Sequence, residues 1–409
     1  MSTESKGQVS PDDDEFNRCV YNTLEYDGPS EFNLADTKNL DFVVGSGNYD
    51  ANIYVYTAAD ANEPTIEIRG AVSPYYDDND PMTSLASRKK IIPKRGSRTG
   101  GRGEMNTVYQ GLHFETNRTG DHTTFFVWYE DHILQDEWGM PYSTCALLQM
   151  DLVLPPAVDL QRLSIHGNQV KIHTRDLKGI RFDTVSLSSK RGEIHVMDLI
   201  RADTVVAKVE EKGDVTLESV EVATTGAVLE IAATAKKGDV LVNALISPAD
   251  LSREMDQKDS KIVAISQTGT VQVNVHAKPS ERSLVEDQSI RSSLGSLWVV
   301  AQSESGQVQT QISLLGKDQN LRLQGESKTG KVTSIISDEF SGRFNIEAPL
   351  GIAMIETATK PGSSSQIIYE KELVTTKAGT KSGQDGKEIH GGQVELRSRF
   401  GGSVFLGFV

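Results

Sequence analysis

One short pattern recurs along the chain and limits what it can fold into: a glycine, any residue, an apolar residue, any residue, then usually a second apolar residue. It occurs at Gly192 (Ile194, Val196), Gly213 (Val215, Leu217), Gly238 (Val240, Val242) and Gly269 (Val271, Val273), and returns at Gly342 (Phe344, Ile346), Gly392 (Val394, Leu396) and Gly402 (Val404, Leu406). Gly306 and Gly330 keep the first apolar position (Val308, Val332) but carry Thr310 and Ser334 at the second. Asn168 stands in for glycine ahead of Val170 and Ile172. That replacement is sensible because asparagine tolerates positive φ better than other non-glycine residues. A second alternating run precedes most of these glycines, such as Val185 and Leu187 before Gly192, or Leu297 and Val299 before Gly306. The unit is strand, tight turn at glycine, strand.

A unit of this kind has one apolar face and cannot bury it alone. Stacking units one strand spacing apart, about 4.8 Å, joins the faces into a continuous core. Glycine at the corner removes the Cβ that would otherwise clash. The expected fold is all-β: a parallel β-solenoid or β-helix, with an irregular N-terminal β region and a disordered N-terminal tail. The competing arrangement is an antiparallel sandwich in which each strand–glycine–strand unit is a hairpin. Steady intervals of 24, 21 and 25 residues from 168 to 238 favour the stack. The intervals then widen to 31, 37 and 24 and loosen to 12, 50 and 10. Helix signals are scarce, the best being 245–258, where Ser247-Pro248 could open a short helix.

Composition fits a narrow stack. Only 37% of the 409 residues are hydrophobic, and 57 acids against 42 bases give a net charge of −15. The acid excess argues against nonspecific binding to nucleic acid or an anionic membrane by the chain as a whole. Two cysteines, Cys19 and Cys145, exclude a disulfide scaffold or a Cys-rich metal site. No apolar run approaches the ~18 residues of a membrane span. The N-terminus has neither a basic n-region nor an apolar h-region, so the sequence by itself points to the cytoplasm. Residues 1–33 are polar and acidic and read as the tail. Residues 34–155 form the N-terminal β region, broken by an insertion at 73–106. Residues 156–409 carry the repeats, continuous with what precedes them.

The serial SxxGxVxV units, together with the lead-in LLQMDLVLPPAVDLQRLSIHGNQVKIHT (147–174), resemble the putative adhesin family, β-solenoid domains of bacteria and fungi. The likeness covers residues 145–275, with echoes at 297–346 and 389–409. It implies a parallel β-solenoid, a place at the cell surface or outside it, and non-enzymatic binding of a surface ligand, carbohydrate or protein. It brings no catalytic residues and no cofactor.

Three segments carry candidate chemistry. Thr123 to Trp138 gathers Trp128, Tyr129 and Trp138 with Glu130, Asp131 and Asp136. Rings suited to sugar faces beside paired carboxylates are what a glycoside hydrolase or lyase would use, and Tyr129 to His132 is similar to a phrase in pectate lyases. The plainer reading is a strand whose aromatics cap the stack, with the three rings as a binding surface. Glu193, Asp214 and Asp239 follow successive corner glycines. Stacked in register they would form a carboxylate ladder able to hold a hard cation such as Ca²⁺; the plainer reading is a solvated edge, and no metal is expected. The basic run RKKIIPKRGSRTGGRG (88–103) could contact nucleic acid or act as a nuclear address. It lacks interleaved aromatics, so a solvated loop is the simpler account. The eight histidines show no ligand spacing, and His166 and His173 fall on opposite faces of one strand. The chain ends FGGSVFLGFV. So apolar a last strand either lies within the sheet or meets another chain, which makes it a route to self-association; an atypical capping unit is expected at that end.

Overall fold

The computed structural model describes residues 30–45, 49–75, 112–129, 134–135, 141–223, 229–246, 260–277, 296–314, 320–357, 366–382 and 391–409. Among them there is no helix. The N-terminal part supplies β1 (Glu31–Asn33), β2 (Asn39–Val44), β3 (Tyr49–Thr57), β4 (Thr65–Tyr75), β5 (Leu112–Thr119), β6 (His122–Tyr129), β7 (Leu134–Gln135) and β8 (Pro141–Leu154). The middle supplies β9 (Arg162–Arg175), β10 (Arg181–Arg191), β11 (Ile194–Lys212), β12 (Val215–Glu221), β13 (Glu230–Ala235), β14 (Val240–Ile246), β15 (Ser260–Ser266), β16 (Val271–Ala277), β17 (Ser296–Ser303), β18 (Val308–Ser313), β19 (Asn320–Ser327) and β20 (Val332–Ile336). The C-terminal part supplies β21 (Gly342–Glu347), β22 (Ala353–Thr357), β23 (Ile367–Glu372), β24 (Thr376–Lys381), β25 (Gly392–Ser398) and β26 (Val404–Phe408). The short helix expected within 245–258 falls mostly outside the described residues; Leu245 and Ile246 end β14. Residues 1–29 of the expected tail 1–33 also lie outside them, whereas Glu31–Asn33 are ordered as β1, paired with β4, rather than part of a disordered tail.

Alternation drives each strand. In β14, Val240, Val242, Ala244 and Ile246 are buried while Leu241, Asn243 and Leu245 are half-buried, the period of two that a pleated strand with one inner face requires. The strands join into a large, mostly parallel sheet that is not closed. Its pairings resolve into two parallel ladders. The first runs β6–β2–β9–β10–β11–β13–β15–β17–β19–β25–β21. The second runs β8–β3–β9–β11–β12–β14–β16–β18–β20–β26–β22. Strands β9 and β11 are long enough to serve both. The inner side chains of the two ladders merge into one hydrophobic core.

The order within the ladders departs from chain order at both ends. β2 and β3 lie between β6/β8 and β9. β25 and β26 lie between β19/β20 and β21/β22. The outermost strands therefore come from segments inserted between an end pair and its neighbour. Three of these four outermost strands are closed by an antiparallel strand: β5 on β6, β4 on β8, and β24 on β21. The loosened glycine spacing follows from this. After Gly330 the next step in the stack is Gly402, and residues 342–381 are an inserted cap. The C-terminal strand β26 has both edges filled by β20 and β22, so the capping strands at that end come from earlier in the chain than the terminus.

The corner glycines form a column. A Cβ on Gly213, Gly238, Gly269, Gly306, Gly330, Gly402 or Gly351 would fall 1.7–2.2 Å from the carbonyl oxygen of the glycine one step before it in the stack. Gly192 begins the column, resting on the carbonyl of Val170 rather than on Asn168. Ile172 pairs with Ile194, so Asn168 sits within β9 two residues ahead of the corner. Gly342 and Gly392 stand elsewhere: they pair with each other at the head of β21 and β25 in the first ladder. The serines of SxxG have a clear job. The hydroxyls of Ser266, Ser303, Ser327 and Ser398 donate to the carbonyls of Gly238, Gly269, Gly306 and Gly330 at 2.7–3.0 Å. Ser303 and Ser327 also accept the N–H of the glycine three residues on. The half-buried corner carbonyls are thereby paired.

The core is thin by construction. One inner column of the first ladder reads Ala207, Ala233, Ala264, Ala301, Gly325, which lets the ladders approach closely. The two units with polar second positions are also explained, because Thr310 and Ser334 face each other in register and hydrogen-bond inside the core.

Candidate functional site

The outward face of the second ladder carries a continuous run of polar and titratable side chains. In register across it stand Asp151, Tyr54, His173 and His195. The Tyr54 and His173 rings stack at 5.2 Å between centroids, and His173 meets His195 edge-on at 6.2 Å. His173 Nε2 lies 3.6 Å from Glu193 Oε1, and His195 Nε2 lies 2.8 Å from Glu218 Oε1. Burial pushes the His173 imidazole below its ordinary range; Glu193 pulls it up, while His195 and Lys171 add to the depression. Nearby, burial raises the Asp50 carboxyl against the pull of Lys171. The Arg175 guanidinium sits 4.8 Å over the Tyr56 ring. A bulge between Val196 and Leu199 turns Met197 and Asp198 outward, with Asp198 at φ 62°.

Further along the same face the side chains become amides. Asn243 and Asn274 pair in register, Asn274 donating to Asn243 Oδ1 at 2.7 Å and Asn243 donating to the Glu218 carbonyl at 2.9 Å. Gln311 continues that column and Gln272 and Gln309 form the next. At the far end the face turns apolar with Phe405 and Met354.

The carboxylates after the corner glycines are engaged by backbone. Asp214 Oδ1 accepts the N–H of Asp239 at 2.8 Å, and Asp239 Oδ1 accepts the N–H of Thr270 at 2.7 Å. Glu193 faces Lys171 and His173. Among the described residues no group of three or more His, Cys, Asp or Glu could hold a metal ion.

Trp128 lies on the outer side of β6, stacked on His113 at 5.2 Å and 36% exposed. Tyr129 ends the same strand. Glu130, Asp131, Asp136 and Trp138 lie outside the described residues, as do the basic run 88–103 and Cys19. His166 hydrogen-bonds Ser164 on the outer side of the first ladder, and His173 stands on the outer side of the second, because the inward-facing parity shifts between Ile165 and Val170. The residues that sequence reading missed are the stacked trio Tyr54, His173 and His195. Their signal was present: His195 stands three residues after Gly192, and His173 three after Val170, the residue on which Gly192 rests. Aligning Asn168 with Gly192 slipped the register by two and hid the match.

The class of protein defined by these observations is all-β, built on a large, mostly parallel sheet. No family model matches the chain, and no curated protein matches it. A crystal structure described as that of a putative cell adhesion protein from Clostridium sporogenes covers 95% of this chain and 100% of its own, at 7% identity and a TM-score of 0.17. A likeness of that size decides nothing about fold or role.

Proposed function

We propose that this chain is a β-solenoid binding protein without catalytic activity, presenting the outer face of its second ladder to an extended carbohydrate at the cell surface. The serial parallel pairing and the glycine column support the solenoid reading, since each strand–turn–strand unit stacks on the one before. The observation that carries the binding reading is the in-register outer column of Tyr54, His173 and His195, which runs on through Thr216 and Leu241 to Gln272 and Gln309, with Asn243, Asn274 and Gln311 in the column beside it. Imidazoles and amides both donate and accept hydrogen bonds, which suits sugar hydroxyls, and tyrosine adds an apolar ring with a polar tip. Repetition at one strand spacing offers a long ligand many weak contacts, and linked contacts multiply affinity.

The test is retention of the full chain on insoluble cellulose, chitin and pectin, with product analysis of each supernatant. Retention on at least one, lost in a Tyr54→Ala/His195→Ala/Asn274→Ala variant with an unchanged melting temperature, is expected. Absence of retention on all three overturns the carbohydrate reading. Release of reducing or unsaturated ends would favour a hydrolase or lyase using Glu130, Asp131 and Asp136.

A further inference from the structure

Of the four outermost ladder strands, β22 is the one on which the described residues place no antiparallel partner. It pairs with β26 along one edge. On the other, Ala353 N–H donates to the Val374 carbonyl at 2.8 Å, and the peptide groups of Ile355 and Thr357, which face the same way by alternation, meet no described strand. Large exposed hydrophobics concentrate around this edge: Leu350 (72%), Ile352, Met354, Leu373 and Val374 (70%). The other outer edges are charged. β1 carries Glu31, β5 carries Glu115 and Arg118, and β23 carries Glu370, Lys371 and Glu372 beside the exposed Ile368 and Tyr369, charge being the usual protection of an unpaired edge. β22 reads AMIET, with Glu356 as its one charge.

We propose that this edge docks a second copy of the chain, β22 against β22 in antiparallel pairing about a two-fold axis. The fold closes its other three ladder ends with an antiparallel strand, and a two-fold copy supplies the missing one. The apolar surround is covered best by itself, because a head-to-tail contact would set it against the N-terminal end of the second ladder, where β4 already carries β1 with its charged Glu31. With Ala353 already bonded, the free groups fix the register: Ile355 of each copy pairs with Thr357 of the other, and Glu356 faces its own copy. Isologous contacts of this kind are the commonest in soluble oligomers. The facing glutamates weaken it, since like charges directly opposite on paired strands repel.

Sedimentation velocity on the full chain from about 1 to 100 μM tests this. A concentration-dependent dimer is expected. Thr357→Pro, which removes a donor at an exposed edge where proline is tolerated, should abolish it with the melting temperature unchanged. Glu356→Gln should tighten it about two- to fivefold, as should added salt. A monomer throughout the range overturns the proposal. So does a dimer indifferent to Thr357→Pro, or one weakened by Glu356→Gln.

Discussion

The carbonyl oxygen of Gly192 lies 1.7 Å from where a Cβ on Gly213 would sit. Gly213 also has φ 140°, outside the range of ordinary side chains. The contact is with backbone, which cannot rotate away. Gly213→Ala should therefore cost about 3 kcal/mol or more, the sum of a strained φ and a displaced strand pair. Gly401, at φ 93° with open space around its Cβ position, is the control: alanine there should cost only about 1 kcal/mol. Urea unfolding of both variants measures the difference.

Ser327 joins two units, donating to the Gly306 carbonyl and accepting the Gly330 N–H, both at close range. Ser327→Ala leaves two half-buried backbone groups without that partner and should destabilise by about 1–3 kcal/mol. Ala235 occupies the same column, paired in register with Ser266, in a unit built without that hydroxyl. Ala235→Ser should be tolerated to within about 1 kcal/mol. Equal losses at the two positions would show that the serine is a space-filler rather than a strap.

Much of this architecture is legible in the residues because it is local. Alternation in VLVNAL or VQVNV sets the strands, and the corner glycines mark where the backbones of successive units touch. The serine of SxxG lies three residues from its glycine, within reach of any turn. What is not legible is set by pairing between distant segments. Nothing near Gly330 says that its stack neighbour is Gly402 rather than Gly342, since both are followed by apolar residues at the right offsets. The outer columns suffer the same way. Tyr54 and His173 are far apart in the chain and meet only once β3 and β9 are placed in register, and setting Asn168 rather than Val170 against Gly192 puts His173 two residues out of step with His195.

The C-terminal cap is held by a buried ion pair. Lys381 Nζ lies 3.0 Å from Asp338 Oδ1, donates to the carbonyls of Asp338 and Phe340, and sits 5.1 Å from the Phe408 ring centre. Lys381 is fully buried and Asp338 nearly so. Removing one partner strands the other charge. Lys381→Met should cost about 3–5 kcal/mol, while the double variant Lys381→Met/Asp338→Leu should recover part of that loss. Because β24 covers β21, hydrogen exchange should show the loss first in β21 and β24 and only later in β14 and β16, deep in the stack.

His173 ties stability to pH with a definite sign. Burial holds its folded imidazole below the ordinary value, so as pH falls through about 6.5 the unfolded chain takes up the proton first. The folded state then binds fewer protons than the unfolded one, and stability falls with pH until the folded imidazole also titrates. The contribution is fully present above the unfolded value. Asp50, whose carboxyl is raised from 3.8, acts in the opposite sense and at lower pH, so the window between 7.5 and 5.5 reports mainly on the histidine. The urea midpoint should drop across that window in the native chain, and the drop should shrink in His173→Gln, which keeps a polar side chain between Tyr54 and His195 without a titrating ring. A midpoint that rises on acidification, or an unchanged drop in the variant, would mean that another group governs the response.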